Sequence, residues 1–232
     1  VGHALALAAD AQHGRGECHE HDRGDHSGHK NLHQREAGAQ MHKPWRSCGH
    51  GAVELAGGGN DTLDFSAILN ELTFTFNGQS ILILEGANSV THAGSGGVSN
   101  IETFIGGTNA DLFILTGTTN RMVINGGAGN DTFRFGTNAT LDGTIDGGTG
   151  ADTFDYSAYL TAATVNLSTG SAFNIKSGVV GKVSNIENLI GTAFKDTLTG
   201  NSADNEITGG AGDDTLSGGA GNDRYIFGAG WG

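Results

Sequence analysis

The phrase Gly209-Gly210-Ala211-Gly212-Asp213-Asp214-Thr215-Leu216-Ser217 is followed without a gap by Gly218-Gly219-Ala220-Gly221-Asn222-Asp223-Arg224-Tyr225-Ile226. No other feature of the chain limits its fold so tightly. Both nonapeptides read G-G-x-G-x-D-x-U-x, with U a large apolar residue, the form of a short-period β-helix repeat. The glycines permit backbone turns that a Cβ would forbid. The aspartate brings a hard carboxylate oxygen, a ligand suited to Ca²⁺ rather than to a soft metal. The last three residues make a short strand whose single apolar side chain points inward. One copy would be an ordinary turn; two in register, with degenerate copies beside them, define an array.

Stepping back by nines extends it. Residues 200–208 carry Asn205 at the Asp position and Ile207 at U, and residues 191–199 carry Asp196 and Leu198. An earlier group occupies 106–114 (Asp111, Phe113), 117–125 (Met122, Ile124) and 126–134 (Asp131, Phe133). Isolated copies end at Asp61-Thr62-Leu63 and Asp152-Thr153-Phe154, the first with Ala56 in place of its opening glycine.

A longer repeat lies above the short one. Val98-Ser99-Asn100-Ile101-Glu102 returns 85 residues later as Val183-Ser184-Asn185-Ile186-Glu187, and Asp61-Thr62-Leu63-Asp64-Phe65-Ser66-Ala67 resembles Asp152-Thr153-Phe154-Asp155-Tyr156-Ser157-Ala158 at an offset of 91. Leu72, Phe74 and Phe76 alternate with Thr73 and Thr75, and Asn77-Gly78 leads to Ile81 and Ile83, which reads as a two-residue β-hairpin. Val165, Leu167, Phe173 and Ile175 flank Ser168-Thr169-Gly170 in the same way. The expected organisation is therefore a polar leader over 1–50, a first solenoid unit over 51–140 with nonapeptides at 106–134, and a second over 141–232 with nonapeptides at 191–226.

These nonapeptides resemble those of the repeats-in-toxin, or haemolysin-type calcium-binding, proteins secreted by bacteria. The resemblance implies an all-β fold, a parallel β-roll or β-solenoid in which two nonapeptides make one turn, here with short hairpin insertions. It implies several Ca²⁺ ions in the glycine-aspartate turns, held by carboxylates and backbone carbonyls. Carried over residue by residue, the ligand side chains are Asp61, Asp111, Asp131, Asp152, Asp196, Asp214 and Asp223, with backbone oxygens from Gly209, Ala211, Gly218 and Ala220. Coils of eighteen residues place Asp196 under Asp214 and Asn205 under Asp223. The turns at Gly191-Thr192-Ala193-Phe194 and Gly117-Thr118-Thr119-Asn120 depart from the pattern. Type I secretion, with an uncleaved C-terminal signal, is also implied; Ala229-Gly230-Trp231-Gly232 is no such tail, which reads as a piece of a longer protein.

Composition bears on partners. The chain has 41 glycines and one proline in 232 residues, and a net charge of −13. Residues from 51 onwards hold 19 acidic and 6 basic side chains, whereas the first 50 balance at six of each. An acidic repeat region repels nucleic acid and favours cations. Without a cation its aspartates repel one another and its glycines have much entropy to lose. The expectation is a chain that folds on Ca²⁺ outside the cell and serves a structural, spacer or surface role. The alternatives are an accessory module of a secreted protease, lipase or polysaccharide epimerase, possessing contacts to extracellular polysaccharide, and a unit that self-assembles into a filament or layer.

Nine of the ten histidines and both cysteines, Cys18 and Cys48, fall in the first 50 residues. Cys18-His19-Glu20-His21-Asp22 invites a zinc or copper reading, yet its spacing matches no standard zinc module; a polar leader is the plainer reading, with a Cys18–Cys48 disulfide a further alternative. Val1 to Ala9 reads as the remnant of a signal peptide or a poor helix, and no stretch is long enough to span a membrane. Catalysis has little support: there is no G-x-S-x-G elbow, and His92 with Ser95 reads as a solvated loop. Asp64 and Asp155 read as turn residues or extra Ca²⁺ ligands. Glu102 and Glu187 read as turn caps or partners of Lys182, with no chemistry assigned. Phe133, Phe135, Tyr156, Tyr159, Tyr225 and Phe227 read as core or edge aromatics, with carbohydrate stacking as the alternative. The segment is expected to be non-enzymatic.

Overall fold

A computed structural model describes residues 3–6, 61–77, 80–85, 88–91, 101–179 and 181–228. Strands dominate these residues, with a single 3-10 turn at Lys176–Gly178 and no α-helix among them. A strand of three residues with one inward side chain buries too little to stand by itself, so each stacks on the coil before it. The result is a parallel β-roll, as the repeat pattern implies.

One face is a nine-stranded sheet. From one edge it runs Arg224–Ile226, Glu206–Thr208, Asn188–Ile190, Thr153–Asp155, Thr132–Phe135, Leu112–Thr116 and Leu72–Asn77, all parallel. Ser80–Glu85 and Asn88–Thr91 complete it as an antiparallel meander. The other face is built from two sheets. Asp61–Asp64, Thr103–Ile105, Thr118–Asn125, Thr140–Asp146 and Val183–Ser184 run parallel in the first, with His3–Ala6 beside Asp61–Asp64. Ser171–Ala172, Thr164–Asn166, Thr197–Thr199 and Thr215–Ser217 form the second. The chain alternates between the two faces, turning at one edge of the roll and then at the other.

Register explains the core. Phe74, Phe113, Phe133, Phe154, Leu189, Ile207 and Tyr225 are paired in succession across the nine-stranded sheet, one apolar position per coil. On the opposite face the same role falls to Leu63, Phe104, Ile124, Ile145 and Val183, and then to Val165, Leu198 and Leu216. Phe74 and Phe113 stack with centroids 4.6 Å apart, and Phe113 and Phe133 at 4.9 Å. Phe133, Phe135 and Tyr156 are fully buried and Tyr159 nearly so, which removes them as carbohydrate-stacking surfaces. Tyr225 and Phe227, on the outermost described coil, are exposed. Burying each core side chain contributes roughly 1.5–3 kcal/mol, enough to hold a thin column once its neighbours are in place.

Three details differ from the sequence reading. Residues 118–125 are one eight-residue strand, Thr118–Asn125, rather than a nonapeptide turn and strand, because Thr118 to Asn120 pair with Thr140 to Asp142. The hairpin pairs Asn77 with Ser80, so Asn77 belongs to the strand rather than to the turn. The long repeat also changes sides: Asp61–Asp64 and Thr103–Ile105 lie opposite the nine-stranded sheet, whereas their counterparts Thr153–Asp155 and Asn188–Ile190 lie within it. The offset spans an odd number of strands, so the second copy enters half a turn later. The His-rich leader beyond residue 6, with Cys18 and Cys48, and the His92–Ser95 loop lie outside the described residues.

Candidate metal centre

Glycine-rich turns lead into the short strands at both edges. At one edge they are residues 106–111, 126–131, 147–152, 200–205 and 218–223; at the other, 191–196 and 209–214. Close approach of neighbouring coils dictates their composition. Gly210 has φ +100°, and a Cβ there would stand 1.9 Å from the Thr192 carbonyl oxygen of the preceding coil. Only glycine satisfies both the left-handed backbone and that contact.

The aspartates form two ladders. At the first edge the N–H of Leu72 donates to Asp111 Oδ1 (2.8 Å), that of Asp111 to Asp131 Oδ1 (2.7 Å) and that of Asp131 to Asp152 Oδ1 (2.7 Å). The N–H of Asp152 donates to Glu187 Oε2 (2.9 Å), and that of Asn205 to Asp223 Oδ1 (3.1 Å). At the second edge the N–H of Ala163 donates to Asp196 Oδ1 (2.6 Å) and that of Asp196 to Asp214 Oδ1 (2.8 Å). Six of the seven aspartates singled out in the sequence thus fall on these ladders. The seventh, Asp61, begins a strand, and its side chain lies outside what is described.

The second carboxylate oxygen is the chemically telling one. Asp131 Oδ2 and Asp152 Oδ2 are buried without any hydrogen-bond partner. Both point into small spaces that glycine leaves open. A Cβ on Gly126 would lie 2.3 Å from Asp131 Oδ2 and 2.3 Å from the Gly147 carbonyl oxygen. A Cβ on Gly191 would meet Asp196 Oδ2 at 2.4 Å and Gly209 O at 2.2 Å. Gly218 O stands 2.3 Å from the same point on Gly200, but there the side-chain oxygen is the amide Oδ1 of Asn205, at 2.2 Å. At the Asp131 and Asp152 gaps a carboxylate oxygen without a donor faces a carbonyl oxygen, which fits a hard cation taking oxygen ligands at about 2.3–2.6 Å, whereas Asp196 Oδ2 already accepts the Thr192 N–H at 2.6 Å. The remaining backbone candidates, Ala211 and Ala220, donate their N–H groups to Thr192 O (3.3 Å) and Asn201 O (3.2 Å).

Burial sets the electrostatics. It pushes Asp131 up to about 8, against a hydrogen bond from the Asp111 amide that pulls down and repulsion from Asp152 and Asp111 that adds. It pushes Asp111 and Asp152 up to about 6, and raises Asp196 as well. Without a cation these carboxylates are reluctant anions. Among the described residues no three His, Cys, Asp or Glu side chains converge on one point. The carboxylates come one per coil, so backbone carbonyls must complete any shell.

Other assignments are resolved by their contacts. Asp64 and Asp155 accept the N–H of Ser66 and Ser157, both at 2.9 Å, as turn residues do. Asp155 also pairs with Arg134 at 2.8 Å. Glu187 takes the ladder position of an aspartate and bonds the Asp152 amide rather than Lys182. The signal for it was the 85-residue recurrence of its phrase, which was visible but carried no chemistry by itself.

Fold and turns together define a β-roll repeat module whose glycine-aspartate turns offer oxygen ligands suited to calcium. Residues 123–139 and 187–230 match the family model of the RTX calcium-binding nonapeptide repeat, in four copies, and these segments are RTX repeats. No curated protein matches the chain.

Proposed function

We propose that the chain is an extracellular module whose folding is driven by calcium and whose work is structural, as a spacer or surface element. The observation that carries this is the pair of buried, unpartnered oxygens, Asp131 Oδ2 and Asp152 Oδ2, beside gaps that only glycine leaves. The ligand set on this reading is Asp111, Asp131, Asp152, Asp196, Asp214 and Asp223, with Asp61 at the start of its strand and carbonyls such as Gly209 O and Gly218 O. Ala211 and Ala220 contribute backbone oxygens. Bound calcium would neutralise carboxylates that otherwise oppose burial.

Binding only to the folded form stabilises it by RT ln(1 + [L]/Kd). With Kd on the order of 10⁻⁴ M and calcium near 10⁻³ M, typical of extracellular modules, each ion contributes roughly 1.4 kcal/mol. At sub-micromolar calcium the contribution nearly vanishes. That contrast supports an exported chain that stays unfolded before release. RTX repeats are typical of secreted proteins, and no described helix is long and apolar enough to cross a membrane.

The test is a calcium titration followed by circular dichroism. A cooperative passage from coil to β-structure between micromolar and millimolar calcium supports the reading; a β-rich spectrum in excess chelator overturns the folding switch. One observation favours self-assembly as a second reading: Tyr225 and Phe227 are exposed beside Arg224–Ile226, which is paired on one side only among the described residues. Calcium-dependent growth in size by light scattering tests it.

A further inference from the structure

At the first edge one turn is built differently. Residues 185–187 connect Val183–Ser184 to Asn188–Ile190, three residues where 126–131 and 147–152 use six. Asn185 has φ +52°, the left-handed region that asparagine enters more readily than most residues. Its Nδ2 donates to Asp146 Oδ1 at 2.7 Å, which fixes the residue in place. Ile186 is buried in the core.

This turn points its oxygens at the neighbouring coil. The Asn185 carbonyl oxygen would lie 1.8 Å from a Cβ on Gly147, and Asp152 Oδ2 2.5 Å from that same point. Asp152 is 0% exposed, and its Oδ2 has no hydrogen-bond partner. Glu187 closes the arrangement: its Oε2 accepts the Asp152 N–H, while the N–H groups of Glu187 and Asn188 donate to Asp152 O at 3.0 and 2.8 Å. Glutamate's extra methylene supplies the reach that a turn shortened by three residues takes away. An ionised carboxylate oxygen buried against a carbonyl oxygen, with a second carboxylate beside it, is strongly unfavourable unless a cation or a proton lies among them.

We propose that the Asn185-Ile186-Glu187 turn is a calcium site in its own right, formed with Asp152 and lying outside the nonapeptide pattern. Asp152 and Asn185 fall outside both matched segments. Its ligands are Asp152 Oδ2, the Asn185 carbonyl and the Glu187 carboxylate; Asp146 acts through Asn185 as a positioning residue. The site rests on the calcium reading above and adds a glutamate to its ligand set.

The experiment compares bound calcium per chain, by equilibrium dialysis with elemental analysis, in the wild-type chain, Glu187→Gln and Asp214→Asn. Glutamine retains an acceptor for the Asp152 amide but carries no charge. Loss of one ion in Glu187→Gln is the expected result. A full count in Glu187→Gln with one ion lost in Asp214→Asn overturns this site and leaves the general reading intact. No calcium bound by the wild-type chain overturns both. If Glu187→Gln does not fold in excess calcium, a crystal structure of the calcium-loaded wild-type chain decides. An ion within about 2.3–2.6 Å of Asp152 Oδ2 and Asn185 O supports the site; ions only in other turns overturn it.

Discussion

The backbone N–H of Asp196 donates to Oδ1 of Asp214, eighteen residues later, at 2.8 Å. One carboxylate thus ties down the coil before it and offers its other oxygen to the gap beside Gly209, where a Cβ would lie 2.4 Å from it. The two duties separate by substitution. Asp214→Asn keeps an acceptor for Asp196 and should lower the calcium count by one, raising the calcium midpoint several-fold. Asp214→Ala also removes the acceptor and should cost a further ~1–3 kcal/mol. Urea melts in saturating calcium check the difference; equal losses in the two variants would refute the division.

Asn205 is a different kind of rung. Its Oδ1 accepts Asn201 N (2.9 Å), while its Nδ2 donates to Glu187 O (2.8 Å), and Asn201 Nδ2 donates to Ile186 O (2.9 Å). Amide hydrogens thus cover carbonyls that elsewhere face a gap, joining two coils without an ion. Asn205→Asp cannot donate and adds a charge at a position 2% exposed. In chelator it should destabilise any residual structure, and in calcium the folding midpoint should move upward. An unchanged midpoint in a dichroism titration would count against a calcium-independent rung.

Acid should partly replace calcium. Asp131, Asp111 and Asp152 titrate in the folded chain at about 8, 6 and 6, all above the ordinary 3.8. Between about pH 4 and pH 8 the folded chain therefore holds more protons than the unfolded one, and its stability falls as pH rises. In chelator, β-structure should be strongest near pH 4 and weakest above pH 8. Calcium affinity should run the other way, weakening as protons compete below about pH 6. Chelated chain that gains stability between pH 5 and pH 8 would contradict the burial of these groups.

Phe133 sits at the centre of the ring column, stacked on Phe113 and edge-on to Phe154 at 5.9 Å. It is fully buried. Phe133→Ala should cost about 3–5 kcal/mol in saturating calcium. The number of ions bound at saturation should not change, because no ligand is touched. Denaturant melts with parallel ion counting read both quantities.

Much of this was legible in the sequence. The nonapeptide period gave the inward positions Phe113, Ile124, Phe133, Phe154, Leu198 and Ile207, since one large apolar residue per short strand leaves no other choice, whereas Ile145, Val183 and Leu189 lie outside any nonapeptide. The eighteen-residue coil predicted the Asp196–Asp214 and Asn205–Asp223 stacking directly. What could not be read was anything set by the neighbouring coil. Thr118 to Asn120 look like a turn until Thr140 to Asp142 pair with them. Glu187 looks like a cap until Asp152 lies beneath it. Asp111 and Asp196 occupy matching places in the long repeat, yet they lie on opposite edges, because strand parity belongs to the path of the whole coil.

The ladder also has a direction. In each rung an amide of the earlier coil depends on an oxygen of the later one, as Asp131 depends on Asp152 and Asn205 on Asp223. Such a stack is a one-way fastening. Stripping a coil from its C-terminal side takes the side-chain acceptor away from an amide in the coil left behind, which must then turn to water. Stripping one from the N-terminal side frees the ladder carboxylates and also bares strand donors such as the N–H groups of Thr132, Thr215 and Arg224, which had met carbonyls of the lost coil. Loss from the C-terminal side is the one that unties a ladder amide from its carboxylate, so the two ends of the roll should fray by different routes.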